Sequence, residues 1–438
     1  MIWANMHSTS RRNSSFRWLI AAMVGAFAFV SYVQRMNVSV APELMMPDLG
    51  LTKSQMGQIF SSFLVGYALF QVPAGRLGDA IGARITLSLA ALVWGCTTLL
   101  TGVVPKMFGV GTAALLISLG VLRFLLGASE AATFRVGSRA IRQWSPPREW
   151  AIGNAFMMVG SSSAAAATVP LVSWLMLRFG WRAAFPITSG LAFAIAVLWY
   201  LAAIDTPEEH KRVSARELEL ITRYRATTTQ APLTDSSSLR SLLKDRNILI
   251  LSLSYICEGY VLFVFVFWLD IYLVEVRGFS ILSGGLAGGL PWLTALACTP
   301  FGGLVCDRIT ALRGRIAGAR AVIMLGYGLS AVLLFAAAKL DSRAGAVATL
   351  CLSVGALYFA EPAFWPTAVH LSGENAGAAS GIMSTAGILG GIVSTSLTPM
   401  IVQRFGWLPA LGSGAAVAVA CTCVWFVIGR NQQLSTDT

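Results

Sequence analysis

Apolar runs of about helix-spanning length recur along the whole chain, each closed by a short polar interruption. Twelve can be delimited, at 18–46, 55–75, 85–104, 109–134, 153–176, 183–203, 247–273, 283–305, 319–338, 344–368, 376–402 and 408–429. At about 1.5 Å per residue, about twenty residues cross a hydrocarbon core of about 30 Å, and longer runs tilt. The pattern predicts an all-α membrane protein with twelve transmembrane helices. The opening MIWANMHSTSRRNSSF is polar and basic and lacks a small-residue cleavage site, so residues 18–33 read as a first span rather than a removed signal. One polar interruption is long. Residues 205–246 form a linker, and their SARELELITRYR stretch is either an amphipathic helix on the membrane face or part of a solvated connector. The expected organisation is a cytoplasmic segment 1–17, a bundle 18–204, the linker 205–246, a second bundle 247–429 and a cytoplasmic tail 430–438.

Composition agrees with this pattern. Of 438 residues, 56% are hydrophobic and only 12% charged, against roughly 25% charged in a soluble domain. A net charge of +12 suggests nucleic acid until the basic residues are placed on the spans. With both termini cytoplasmic, 22 Lys and Arg fall inside, eight fall outside, and Arg35 and Arg123 lie within helices. That asymmetry is the positive-inside signature, and it removes the reason to invoke nucleic acid. The seven cysteines are scattered in apolar runs without framework spacing, as buried free thiols would be. His7, His210 and His370 stand far apart, and no His/Cys cluster has metal-ligand spacing, so no metal and no cofactor is expected. No nucleophile–base constellation or output domain supports an enzyme or a sensor.

The two halves repeat one another. RFGW occurs at 178–181 and again at 404–407, an offset of 226, and GRLGDAIGAR from Gly75 is echoed by GGLVCDR from Gly302, an offset of 227. Two matches at nearly one offset point to duplication of a six-helix unit. The GRLGDAIGAR segment resembles the G-x-L-x-D-x-x-G-x-R motif of the major facilitator superfamily. Similarity to its anion:cation symporter family extends over nearly the whole chain, through YVQRMNVSVA, RFLLGASEAATF, WSPPREWAIGNAF, FWLDIYL and GIMSTAGILGGIVSTSLTPMIVQRFGW. The resemblance implies two six-helix bundles around a central cavity, alternating access in a bacterial inner membrane, and carriage of a small organic anion with protons or sodium. Sugar acids, aromatic carboxylates and small sulfonates such as sulfoacetate are cargoes of the kind such relatives carry. Import and export, and the oligomeric state, stay open.

Ionisable residues within spans include Arg35, Arg123, Glu130, Glu258, Asp270 and Glu361. A charge at bilayer depth costs about 2.5–3.5 kcal/mol on insertion scales, so it faces a wet cavity or a partner. Arg35 shares a helical face with Ser31, Tyr32 and Ser39. Its guanidinium is a rigid donor fork that fits carboxylate, sulfonate or phosphate, and Tyr32 and Ser39 could read further oxygens. It could equally snorkel to the surface or pair with an acid; the resemblance, which places an anion-binding arginine at this point, favours substrate contact. Glu130 matches the family's helix-4 glutamate, implicated in proton coupling; Arg123, seven residues earlier, reads as a structural tie. Before Arg35 relatives often carry aspartate, whereas this chain has Gln34, which cannot titrate. Glu258 and Glu361, each with aromatic neighbours, are further candidates for a proton, a sodium ion or a cargo hydroxyl, with structural pairing as the competing reading. Asp270, near a helix end, is expected to be exposed. Tyr255, Tyr358, Trp365 and Ser384 are candidate cavity linings, against plain helix packing.

Gly75, Asp79, Gly82 and Arg84, with Asp307 and Arg308 as their second copy, are expected to act as gating latches between helices. Small residues in 153–167 and 381–396 are expected to form the moving contact between bundles.

Overall fold

The computed structural model describes residues 15–146, 149–210, 212–222, 241–372 and 375–428. The expected cytoplasmic segment before residue 15, the middle of the linker and the tail lie outside these residues.

Every regular element described is helical. In chain order these are α1 (Phe16–Val40), α2 (Pro42–Leu49), α3 (Lys53–Val103), α4 (Ala113–Glu130), α5 (Ala132–Trp144), α6 (Trp150–Phe179), α7 (Trp181–Ala202), α8 (Ala215–Thr222), α9 (Arg246–Glu275), α10 (Ile281–Arg313), α11 (Arg315–Lys339), α12 (Arg343–Ala360), α13 (Phe364–Ser372), α14 (Ala376–Phe405) and α15 (Trp407–Val424), with short 3₁₀ turns between some of them. Among the described residues, eleven helical stretches are long and apolar enough to cross a membrane. One of them is too long for one crossing: the 51 residues of α3 would reach about 77 Å if straight. Gly82 divides it, with φ 82° and ψ 166°, into two arms that each suffice for a span.

The local chemistry sets these ends. Thr52 accepts from the backbone of Gln55 while the Gln55 side chain bonds back to Thr52, a capping box that starts α3. Asp245 caps α9 through Asn247 and Ile248. The repeated RFGW is a turn: Gly180 and Gly406 both take positive φ, 82° and 86°, and each lets one helix end and the next begin at tryptophan. Gly314, at φ 86°, is the second-half counterpart of Gly82. Duplication is therefore visible as two sets of turns as well as in sequence.

Helices α1 and α3–α7 pack chiefly on one another, and α9–α15 do likewise. The two sets meet along fewer contacts, mainly α6 with α10 and α3 with α14. Large apolar side chains such as Leu198, Leu201, Leu325 and Val332 are exposed around the outside, as a lipid-facing belt requires. Helix α8 docks on the start of α1: Glu217 accepts from the backbone of Phe16 and Arg17 and pairs with the Arg17 side chain at 3.1 Å. A carboxylate at a helix N-terminus satisfies otherwise orphaned N–H groups.

Candidate functional site

Between the two sets of helices lies a cavity of about 590 Å³, which widens toward the end where Arg142, Arg315 and His370 lie. Its volume suits a small organic molecule. At the opposite end the sets are in contact. Gly285, Gly288 and Gly289 of α10 lie against Ala166, Val169, Pro170 and Ser173 of α6, and Gly57 of α3 lies against the Thr395 carbonyl of α14. Ser61 bonds to Thr395 at 2.7 Å and Ser396 at 3.0 Å. Lys53 pairs with Glu275 across the seam at 2.7 Å, and Trp407 donates to the same carboxylate.

This seam refines the sequence expectation. Both small-residue helices do reach the other half, but with their far ends. Gly160 instead packs on Gly25 and Gly390 on Ile256, within their own sets, while the glycines at the seam come from α10 and α3.

Arg35 sits on the wall of the cavity, 8% exposed. Its Nε donates to Glu130 Oε2 at 2.9 Å, and its Nη2 lies 2.8 Å from the same oxygen. Glu130 is wholly buried, and its Oε1 has no hydrogen-bond partner among the described residues. The guanidinium lies over the rings of Tyr32, Phe63 and Tyr67, with centroids at 4.5, 5.1 and 5.1 Å. An aromatic cup of this kind holds a cation without spending its donors. One fork is thus held by a single carboxylate oxygen at the cavity wall.

The other candidates divide. Tyr32, Tyr255, Glu258, Tyr358, Glu361, Trp365 and Ser384 all line the cavity. Tyr255 and Trp365 both donate to Glu361 Oε1, at 3.0 and 2.9 Å. Ser39 stands apart: it is fully buried and its hydroxyl donates to the Met36 carbonyl of its own helix. Gln34 also faces away, donating to the Thr188 carbonyl at 2.9 Å. Arg123 is 1% exposed and bonds to the Gln34 carbonyl, Asn37 and Thr101, a tie between α4, α1 and α3.

Asp270 corrects an expectation. It is buried, at 9% exposure, with Oδ1 unpartnered among the described residues, because Gly288 of α10 lets that helix close over it. Position near a helix end did not expose it. The motif residues lie within their own halves in this conformation. Asp79 pairs with Arg139, the Arg84 backbone donates to Asp205 Oδ1 at 2.9 Å, and Asp307 stands 3.6 Å from Arg315. Gly75 is half-buried near Arg135, and a Cβ on Gly82 would strike the Asp205 carboxylate at 2.2 Å. Arg308 is exposed.

Sequence reading passed over Tyr67, Gln71, Arg135 and Trp292, which also line the cavity. Arg135 and Gln71 are hydrogen-bonded to each other. A polar signal existed for Gln71, an amide in an apolar run; for Tyr67 and Trp292 nothing local separates cavity from packing.

The Major Facilitator Superfamily profile matches residues 23–395. The chain is 30% identical over 426 residues to a probable sulfoacetate transporter of Cupriavidus necator, covering 96% of this chain and 95% of that one. It is 29% identical to a hexuronate transporter of Bacillus subtilis, covering 91% and 92%. Among solved structures, an inward-facing bacterial homologue of the human lysosomal transporter Spinster superposes with a TM-score of 0.72 at 16% identity, covering 95% of this chain and 96% of that chain. A D-xylose–proton symporter superposes with a TM-score of 0.74 at 14% identity, covering 94% and 97%.

Proposed function

Because the chain belongs to the Major Facilitator Superfamily, we propose that it is a multi-pass inner-membrane secondary transporter of a small organic anion, coupled to protons. The relatives named for sulfoacetate and hexuronate support the cargo class. The single observation that carries the site assignment is the Arg35–Glu130 pair at the cavity wall.

Its logic is exchange. A guanidinium fork held by Glu130 is not free for cargo, and an acid entering the cavity competes for the same donors. A proton on Glu130 removes the competing charge and leaves Arg35 to the cargo. The anion and the proton then bind together and leave together, which is what symport requires. Charge supports this reading. With all groups ionised, Arg35, Arg135, Glu130, Glu258 and Glu361 sum to one net negative charge, so an anion needs an accompanying positive charge to settle there. Glu258 and Glu361 remain candidates for a further proton.

Counting both arms of α3, the spans number twelve, in bundles 18–204 and 247–429 joined by the linker. Positive-inside bias puts the basic end, with Arg139, Arg142 and Arg315, in the cytoplasm. The cavity then opens inward, and the seam at Lys53 and Glu275 is the closed outer gate. Tyr32 and Ser384 lie where they could contact cargo, and the motif around Asp79 and Asp307 would re-pair when the inner side closes.

Uptake into proteoliposomes under separate gradients tests the coupling. An inward proton gradient alone is expected to drive accumulation of a transported acid; accumulation driven by sodium alone, indifferent to pH, assigns the coupling to sodium instead.

A further inference from the structure

The charged groups of the cavity are arranged by half. Arg35 of α1 and Glu130 at the end of α4 form the first-half wall; Glu258 of α9 and Glu361, just beyond α12, stand in the second. One side of the cavity therefore carries Arg and Glu, the other Glu and Glu. The cavity is bipolar.

Three observations show that the acidic wall is open to a ligand. Glu258 is 6% exposed, lines the cavity, and has no hydrogen-bond partner among the described residues. Glu361 uses only Oε1, toward Tyr255 and Trp365; its Oε2 is buried and unpartnered among the described residues. Glu361 also stands where the helix is interrupted, in the 3₁₀ turn Glu361–Ala363 between α12 and α13. Irregular backbone at membrane depth is tolerated where it lines a cavity, and transporters place cargo contacts there. Tyr358 lines the same cavity as Arg35 and Tyr32 of one wall and Glu258 and Glu361 of the other. One small molecule can span from wall to wall.

Resting on the anion reading above, the geometry points to a cargo with a single acid group and a hydrogen-bond-donating far end, an ammonium or hydroxyls, read by Glu258 and Glu361. Two carboxylates offer acceptors and negative charge, so they attract N–H and O–H groups and repel a second acid. While both carboxylates are ionised, this wall disfavours di-acids, aldarates, phthalates and sulfoacetate alike, and plain alkyl acids leave its acceptors unpaired.

The test is a set of thermal-shift titrations of the purified full-length protein with hexanoate, ω-aminohexanoate, gluconate and galactarate. The amino or hydroxy acid is expected to bind about tenfold or more tightly than both hexanoate and galactarate, since a site built for a donor rejects analogues lacking it. Whether the amino acid or gluconate leads identifies the donor as ammonium or hydroxyl. Glu258→Gln and Glu361→Gln, which keep an acceptor oxygen, are expected to admit galactarate and narrow the ratio to within about threefold. Galactarate binding as tightly as gluconate to the native protein, or a ratio unchanged in both variants, overturns the donor-reading wall and leaves the anion reading standing. Absence of saturable stabilisation by every acid overturns the anion reading and the wall with it.

Discussion

At the scale of single residues, the account turns on Arg35 doing two jobs with one fork. Paired with Glu130 it is tolerable at bilayer depth; released from it, it would be free for the proposed cargo. Geometry separates these roles from bulk charge. Arg35→Lys keeps the charge and loses the planar fork, so cargo affinity should fall about tenfold or more while protein remains in the membrane, as a binding titration on purified protein would show. Glu130→Gln should behave differently. A neutral amide imitates the protonated state, so counterflow exchange should continue while uphill accumulation under a proton gradient is lost. Concentrative uptake by that variant would remove Glu130 from the coupling step. A methyl ester of any acid that binds should bind poorly, since the fork reads a full negative charge. Much of this pair was legible in sequence, because a permanent cation and an acid in greasy runs have few alternatives. Ser39 was not. Its spacing puts it on the right face, yet its hydroxyl is used up by the Met36 carbonyl, and helical periodicity does not reveal which hydroxyls bond back to their own helix.

At the scale of elements, the seam at the Lys53 end shows which contacts hold the gate. The Lys53–Glu275 pair is conspicuous, but both side chains are a quarter or more exposed. A pair of that kind contributes about 0–1 kcal/mol, so Lys53→Ala should change transport rates by less than about fivefold. The backbone contacts matter more. A Cβ at Gly57 would come 2.5 Å from the Thr395 carbonyl, and one at Gly289 would come 2.7 Å from the Ala166 carbonyl. Gly57→Val should hold the seam apart and raise labelling of a nearby seam position, such as Ser396→Cys, by an impermeant thiol reagent; unchanged labelling would show that the seam does not close on these glycines. The sequence announced that small residues of α6 and α14 would form the contact, and both helices take part in it, but the glycines of α10 and α3 that they meet were not foreseen. A stripe of glycines says only that some backbone comes close. Gly160 and Gly390 spend that closeness inside their own halves, and the partner at the seam is decided by tertiary packing. Asp270 was misjudged for the same reason, since the glycine that buries it lies on the next helix. The turns were partly written: RFGW falls between predicted spans and Gly82 belongs to the motif, and Gly82, Gly180 and Gly406 each take positive φ.

At the scale of the whole molecule, two half-chains of similar pattern meet around one cavity that is closed at the Lys53 end and open at the basic end. Alternating access requires that the seam between Ser61 and Ser396 open in every cycle. A disulfide between Ser61→Cys and Ser396→Cys should therefore arrest transport, with reduction restoring it. The many apolar spans were readable from hydropathy, since the bilayer leaves few solutions for such a chain, and the duplication from the repeated RFGW and glycine-rich motif. The polarity of the cavity was not, because the facing of Glu258 and Glu361 toward Arg35 exists only once the halves are assembled. The most direct measurement compares anion binding and uptake by the native protein and Arg35→Ala, matched for membrane level. The account expects saturable binding of an organic acid to the native protein and a loss of about a hundredfold or more in the variant, the scale of removing a charged partner from a desolvated site. Binding and uptake by Arg35→Ala within about threefold of native, well below that scale, would contradict it.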